Sequence, residues 1–481
     1  HVSHLTPHVS RVSAYLCRVP PSPIAPTDPS LRRAAILVAG LGAFLTPFMA
    51  SAVNIALPAI GRAFPVSAVT LGWISTANLL AAAALVVPLG RLADIRGRRM
   101  VFLSGIAVFT VGSLLAGLAG SMPQLIAARV VQGMGAAAMF GTGIAILTSV
   151  LPPGERGRAL GINVAAVYLG LSVGPFAGGW LTGVFGWRSV FLANVPLGVL
   201  MVVVVLRWLR GEWASAKGER FDLAGAALFA VTLVLLLGGL TRVREPHGLW
   251  LVLAGAAGLA AFAWRESCAP SPILDIALLR HNTVFAMSNL AALINYAATS
   301  AAGFLLSLFL QYARGLSPMQ AGVVLVVQPI AMTLLSPVAG SLSDRVEPRV
   351  PASIGMALSA AGLGVMALLD ASTPLGFVVA GLVLLGVGFG LFSSPNTNAV
   401  MSAVEPRQYG VAAGFVGTMR LVGQVLSMVV AMLIFTVYLG GHAAAEAPTA
   451  ELVASLRVTF VVFAVLCLVG VWASLARGTV R

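Results

Sequence analysis

The sequence predicts an all-α polytopic membrane protein: fourteen transmembrane helices, built as two pseudo-symmetric six-helix bundles with two extra helices between them. Three observations predict it. First, the 481 residues are 59% apolar and only 9% charged, where a soluble chain carries roughly 25% charged residues. Second, the charges fall in short gaps between uncharged runs of about 18 residues or more, the length that crosses a bilayer as a helix. Third, the two ends of the chain echo one another in register.

Residues 1–33 are rich in Pro and Ser, hold no sustained apolar run, and read as a disordered cytoplasmic tail with no cleavable signal. Residues 34–209 then carry six spans: Ala34–Leu57, Leu71–Leu89, Val101–Leu118, Leu125–Leu147, Ala159–Val184 and Val190–Leu206. Residues 210–281 hold two further spans, Leu223–Leu240 and Leu249–Trp264, with their linking loops. Residues 282–481 form the second set of six: Val284–Gln311, Ala321–Val338, Pro351–Leu369, Leu375–Val404, Val411–Leu439 and Val458–Leu475.

The basic residues test this count. An even number of spans puts both ends on one side. Arg62, Arg188, Arg242, Arg244, Arg314 and Arg457 then lie on the far side, and Arg129 and Arg420 lie inside spans. All the rest of the 29 Lys and Arg share the side of the termini. Lys and Arg favour the cytoplasmic side, so both termini are expected there, in the inner membrane of a bacterial cell. The net charge of +14 therefore reports topology. No basic cluster interleaved with aromatics suggests nucleic acid. Cys17, Cys268 and Cys467 match no metal spacing, and neither a metal nor a cofactor is expected.

The internal echo locates the repeat. "GRLAD" at Gly90–Asp94 returns as "GSLSD" at Gly340–Asp344. Farther on, a constant offset of 253 carries Gly133 to Gly386, Gly135 to Gly388 and Gly170 to Gly423, among other matches. Spans 1–6 and 9–14 thus read as two copies of one bundle. Paired bundles related by an axis along the membrane normal are a transporter architecture, with substrate bound between them.

Four stretches carry a family resemblance. "GRLADIRGRRM", Gly90 to Met100, joins span 2 to span 3 and resembles the signature loop of the major facilitator superfamily. "RVVQGMGAA", Arg129 to Ala137, is similar to the family's helix 4 motif, and "GLSVGPFAGG", Gly170 to Gly179, to the helix 5 motif associated with exporters. "WRSVFLANVPLG", Trp187 to Gly198, resembles the opening of helix 6 in the fourteen-helix drug:proton antiporters. The resemblance covers roughly residues 34–475. It implies a monomeric transporter that works by alternating access and exports hydrophobic small molecules, with a proton as the candidate exchange partner. It implies no enzyme activity, and the spans offer no His, Asp, Glu or Cys constellation that would make one. An uncoupled facilitator or importer of a metabolite, and a membrane sensor built on a transporter fold, are the rival readings.

Each motif also has a physical reading. A carboxylate at the end of span 2 can dock on the positive N-terminus of another helix. Asp94 is expected to face span 13 near Gln408, and Asp344 the start of span 5, when the cytoplasmic side is shut. Gly90, Arg91, Gly97, Arg98 and Arg99 complete this gate; a solvated basic loop would explain the arginines but not the recurring aspartate. Gly170, Gly174, Gly178 and Gly179 form a bare ridge beside Pro175, suited to close helix packing against the opposite bundle.

An arginine near the bilayer centre costs about 2.5–3.5 kcal/mol, so Arg420 is expected to face the central cavity, and Arg129 to join it. Asn54, Asn78, Asn289, Tyr296, Ser300, Asn396 and Asn398 add uncharged polar groups to the same candidate cavity. The resemblance breaks in span 1. "FMASAVNIALP", Phe48 to Pro58, has Met49 where the drug antiporters commonly carry an aspartate. None of the 15 acids and none of the 6 His falls inside a span, with Asp222 and Asp370 at span edges. The interior therefore shows no evident proton site.

Overall fold

A computed structural model describes residues 29–151, 153–214, 216–240, 247–268, 276–343, 345–404, 409–440 and 448–478. Most of the tail, residues 1–28, lies outside them, as does Asp344. The described residues form fourteen helices long and apolar enough to cross a membrane. These are α1 (Pro29–Ala63), α2 (Ala68–Arg96), α3 (Arg98–Leu118), α4 (Met122–Leu147), α5 (Ile162–Phe185) and α6 (Arg188–Trp208), then α7 (Leu223–Leu240) and α8 (Gly248–Ser267). The second set is α9 (Thr283–Ala313), α10 (Pro318–Ser343), α11 (Arg349–Met366), α12 (Leu375–Ser402), α13 (Gly414–Tyr438) and α14 (Thr449–Ala476).

The helices overrun their apolar runs. Residues 29–33, expected in the tail, are the first turn of α1. Arg457, expected in a loop, lies inside α14 and donates from Nε to Ala367 O at the end of α11, at 3.2 Å. Asp94, Glu266 and Glu451, expected outside the spans, likewise sit within the ends of α2, α8 and α14. Hydrophobicity marks where a helix meets lipid, whereas backbone hydrogen bonding carries it on into the interface.

The packing repeats between the two sets. In the first, α4 packs on both α2 and α3, and α1 packs on α5. In the second, α12 packs on both α10 and α11, and α9 packs on α13. The echoed glycines make these crossings. A Cβ on Gly133 would strike Asn78 O of α2, and one on Gly386 would come within 2.5 Å of Gln328 O of α10. Gly135 meets the α3 backbone at Phe109, and Gly388 the α11 backbone at Ser359. Gly170 meets α1 at Phe44 O, and Gly423 meets α9 at Leu293 O. Three glycine pairs at one offset thus do the same work twice: they let backbones touch where hydrophobicity alone drives no association in lipid.

The two extra helices pair with each other, with Phe229 of α7 against Phe262 of α8 at 5.1 Å between rings. Arg265 closes the base of the pair on Asp222 at 2.7 Å, and this hydrogen bond holds the Asp222 carboxyl below the ordinary carboxylate range. Leu233 and Phe229 of α7 join an apolar cluster with Leu80, Ala83 and Val86 of α2 and Leu421 and Val425 of α13. α7 therefore lies along the seam where the two bundles meet.

Candidate functional site

The face bearing the α2–α3 loop is termed the basic face here; the other is the opposite face. The two bundles are joined firmly in the opposite half. Ser307 Oγ of α9 donates to Asn54 O of α1 at 2.6 Å, Gln311 Nε2 to Ile55 O at 3.0 Å, and Tyr312 Oη to Pro58 O at 3.0 Å. Gly72 of α2 lies against Met432 of α13, and Thr76 Oγ1 reaches Met432 Sδ at 3.3 Å. α5 crosses α10 at bare backbone: a Cβ on Gly179 would be 2.5 Å from Pro318 O, and one on Gly322 would strike Pro175 O. In the basic half, Asn282 and Asn398 bond inside the second bundle, and Arg98 bonds inside the first. The structure is a state sealed at the opposite face.

This corrects the expectation for the glycine ridge. Gly170, Gly174 and Gly178 face α1 of their own bundle, with the Gly178 Cβ position 2.6 Å from Ala52 Cα; only Gly179 faces the opposite bundle. The reason is geometric. Positions i, i+4 and i+8 share one helix stripe, and i+9 lies roughly 100° round from i+8. Pro175 belongs to the second contact, because its carbonyl meets Gly322.

At mid-depth a different group bridges the seam. Arg420 of α13 sets its guanidinium over the Phe140 ring of α4, 4.2 Å from the centroid. The Tyr296 side chain of α9 is within reach of Arg420 and of Ser393 of α12. Its ring meets Phe389 edge-on at 5.3 Å. Across the seam, the Tyr168 hydroxyl of α5 and Ser336 Oγ of α10 are 3.2 Å apart. Arg420 is half-buried, and its Nε is buried with no hydrogen-bond partner. Asn54 joins the same seam higher up, accepting from Ser75 Oγ of α2 at 3.3 Å.

Other expected cavity residues stand elsewhere. Arg129 is 1% exposed inside the first bundle, donating Nε to Ile74 O of α2 at 2.9 Å and Nη1 to Gln132, which in turn holds Ser113 of α3 at 2.7 Å. Asn78 donates to Arg129 O at 3.3 Å. In the second bundle, Asn289 turns back to Phe285 O at 2.9 Å, and Asn398 reaches Ser343 Oγ at 3.0 Å. Asn396 accepts from buried Arg477 Nη1 at 3.0 Å. These groups brace single bundles rather than line the seam. A polar group in an apolar surround takes the nearest backbone or side-chain partner, and sequence spacing does not say which one that is. Ser300 sits where α9 breaks, beside Ala301, whose freed N–H is capped by Ser427 Oγ of α13 at 2.9 Å. Met49 is buried against α6, where Asn194 Nδ2 approaches its sulfur at 3.2 Å, so the place of the absent acid is the interior of the first bundle.

The signature loop is held by more than its own residues. Gly97 makes the turn between α2 and α3 with φ 122°, a conformation open to glycine. Asp94 Oδ1 accepts from Arg98 Nη2 at 2.8 Å, and Arg98 Nη1 continues to Ser149 Oγ at the end of the α4 helix at 2.6 Å. The linker between α6 and α7 lies directly on this loop. Arg98 N donates to Trp213 O, and Ala216 N to Asp94 O, both at 2.9 Å. The Glu212 carboxylate caps α3 by accepting from Arg99 N at 2.8 Å and Met100 N at 3.2 Å, and Glu219 pairs with Arg91. Sequence reasoning missed this clamp; its signal was Glu212 and Glu219, set among Arg210, Lys217 and Arg220 in the linker. Gly90 faces open space. Gln408, the expected partner region of Asp94, lies outside the described residues. Among the described residues no three His, Cys, Asp or Glu cluster to hold a metal ion.

Comparison with known proteins places this architecture. The model of the Major Facilitator Superfamily matches residues 39–274 and 289–480. The riboflavin transporter RibZ of Clostridioides difficile is 32% identical over 80% of this chain and 84% of its own length. The cephamycin export protein CmcT of Amycolatopsis lactamdurans is 35% identical over 92% of this chain and 93% of its own. Among solved structures, a bacterial homologue of the human lysosomal transporter Spinster, in an inward-facing and unoccupied conformation, superposes with a TM-score of 0.69 at 17% identity, covering 94% of this chain and 97% of that one. With fourteen spans, a doubled bundle and the signature loop all present, the chain belongs to the Major Facilitator Superfamily, a family of multi-pass membrane transporters rather than enzymes.

Proposed function

We propose that this transporter exports hydrophobic small molecules by alternating access, with the two bundles rocking about the mid-depth group around Arg420. One observation carries the reading: aromatic and hydroxyl side chains from both bundles converge on Arg420 beneath a sealed opposite face. The names of two relatives, one a riboflavin transporter and one a cephamycin exporter, support a small-molecule cargo. Basic loops favour the cytoplasm, so the basic face is assigned inward in this reading, and the sealed face outward. Cys268, at the end of the α8 helix, should then resist a membrane-impermeant thiol reagent added to intact cells and react once the cells are opened. Labelling from outside would reverse the topology.

The test of function is flux in vesicles containing the purified protein, with and without an imposed pH gradient. Saturable movement of a hydrophobic dye, faster under the gradient, is the result expected of proton exchange. One observation favours the second reading, an uncoupled facilitator: among the described residues the seam helices α1, α2, α4, α5, α7, α9, α10, α12 and α13 hold no Asp or Glu except Asp94 at the basic end of α2. That reading predicts dye movement down its own gradient with no response to pH. Absence of any flux above that of empty vesicles would count against both.

A further inference from the structure

We propose that Arg420 selects the cargo, and that the site takes planar aromatic molecules bearing an anionic or strong acceptor group and rejects cations. The proposal rests on the transport reading above and deepens it.

The charge of Arg420 is unbalanced. Of the helices that meet at the seam only α2 carries an acid, Asp94 at its basic end, where it pairs with Arg98, so among the described residues Arg420 has no carboxylate at its depth. Its contacts are a face and a hydroxyl. Phe140 covers the guanidinium plane at 4.2 Å, and Tyr296 approaches as a neutral partner. Neither neutralises the charge. Nε is buried and donates to nothing, although a guanidinium offers five donors in a rigid planar fork suited to a carboxylate, sulfonate or carbonyl pair. A buried donor left without an acceptor keeps the full cost of its lost hydration. A ligand acceptor that met it would recover that energy only while bound, which is how a site discriminates.

The surroundings suit a flat ring. Phe140 comes from the first bundle, and Phe389 and Tyr296 from the second. Tyr168, Ser336 and Ser393 add hydroxyls that donate or accept around the same level. Aromatic faces bury planar apolar surface, and hydroxyls satisfy scattered polar groups without fixing one geometry. A cationic dye would find the same rings but would meet Arg420 as a like charge in a poorly screened interior, with no acid nearby to offset it.

The test uses two xanthene dyes of matched shape and opposite charge, fluorescein and rhodamine 6G, as probes of flux in vesicles carrying the purified protein. The wild type is expected to move fluorescein about tenfold faster than rhodamine 6G or better, the discrimination expected of one charged hydrogen bond. Arg420→Gln should lower fluorescein flux by a similar factor and leave rhodamine 6G flux equal or higher. Arg420→Lys, which keeps the charge and loses the fork, should fall between them; its elution and melting temperature, matched to wild type, serve as the folding control. Equal or faster movement of rhodamine 6G by the wild type would overturn the proposal, as would an equal loss of both dyes in Arg420→Gln alongside full activity in Arg420→Lys. If the wild type moves neither dye nor any neutral hydrophobic dye, the transport reading itself fails, and the proposal with it.

Discussion

Gly179→Leu is expected to abolish net transport while leaving the protein folded and membrane-inserted. The Cβ position of Gly179 lies 2.5 Å from Pro318 O and 3.0 Å from Met319 Cα, backbone atoms that have no rotamer to change. This is the α5–α10 crossing that seals the opposite face. Overpacking costs about 1–3 kcal/mol, and within a joint between two moving bodies that cost falls on one state only, shifting the balance roughly 5- to 150-fold toward the open face. Gly178→Leu, one residue away, makes the informative contrast. Its clash is with Ala52 of α1 inside the first bundle, so it should lower the melting temperature in every state. Thermal unfolding of both variants beside dye flux separates the two. A normally melting, normally transporting Gly179→Leu would remove the crossing from the mechanism.

Asp94→Asn should impair transport nearly as strongly, in both driven and downhill modes. The substitution keeps the size and removes the charge that holds Arg98 Nε and Nη2 at 3.0 and 2.8 Å. Through Arg98 the carboxylate ties the end of α2 to the end of α4, and its own backbone carbonyl anchors the α6–α7 linker at Ala216. If the same carboxylate docks on a facing helix when the basic face shuts, its loss removes about 0.3–1 kcal/mol, or up to about 2 kcal/mol if partly buried. Ligand binding should survive with altered affinity. Flux with and without a pH gradient discriminates the roles: intact downhill exchange with only the driven component lost would move proton coupling to Asp94.

Much of the architecture was legible because membrane chemistry writes it plainly. Each apolar run became a helix, since lipid leaves the backbone no other partner than itself. The repeat was legible in Gly133, Gly135 and Gly170, whose counterparts Gly386, Gly388 and Gly423 make the same crossings. The site was less legible. Arg420 and Tyr296 stood out as polar groups in apolar spans and do meet at the seam, but Arg129, Asn78, Asn289, Asn396 and Asn398 stood out equally and brace single bundles. Polarity says that a partner is needed; only the crossing of helices says which. Phe140, Phe389 and Tyr168 carried no signal at all, because an aromatic residue in a span reads the same whether it faces lipid or cargo. The linker clamp was hidden for another reason: Glu212 lies far along the chain from the Arg99 and Met100 N–H groups it caps, and a carboxylate's charge alone does not choose among 29 Lys and Arg and the open N–H groups of every helix start.

The central claim is that the two bundles rock about the Arg420 level, and the most direct measurement follows both ends of the same helix pair. Spin labels at Val184 and Met319 report on α5 and α10 at the opposite face, and labels at Ile162 and Leu342 report on them at the basic face; all four side chains are exposed. With the three native cysteines replaced by serine, pulsed electron–electron resonance would give each distance in lipid nanodiscs, with and without a transported dye. Rocking predicts opposite responses: the Val184–Met319 distribution gains a longer component while Ile162–Leu342 gains a shorter one, and Gly179→Leu holds the longer and shorter components without dye. Unchanged distances at both faces under conditions of active flux, or lengthening at both together, would contradict it.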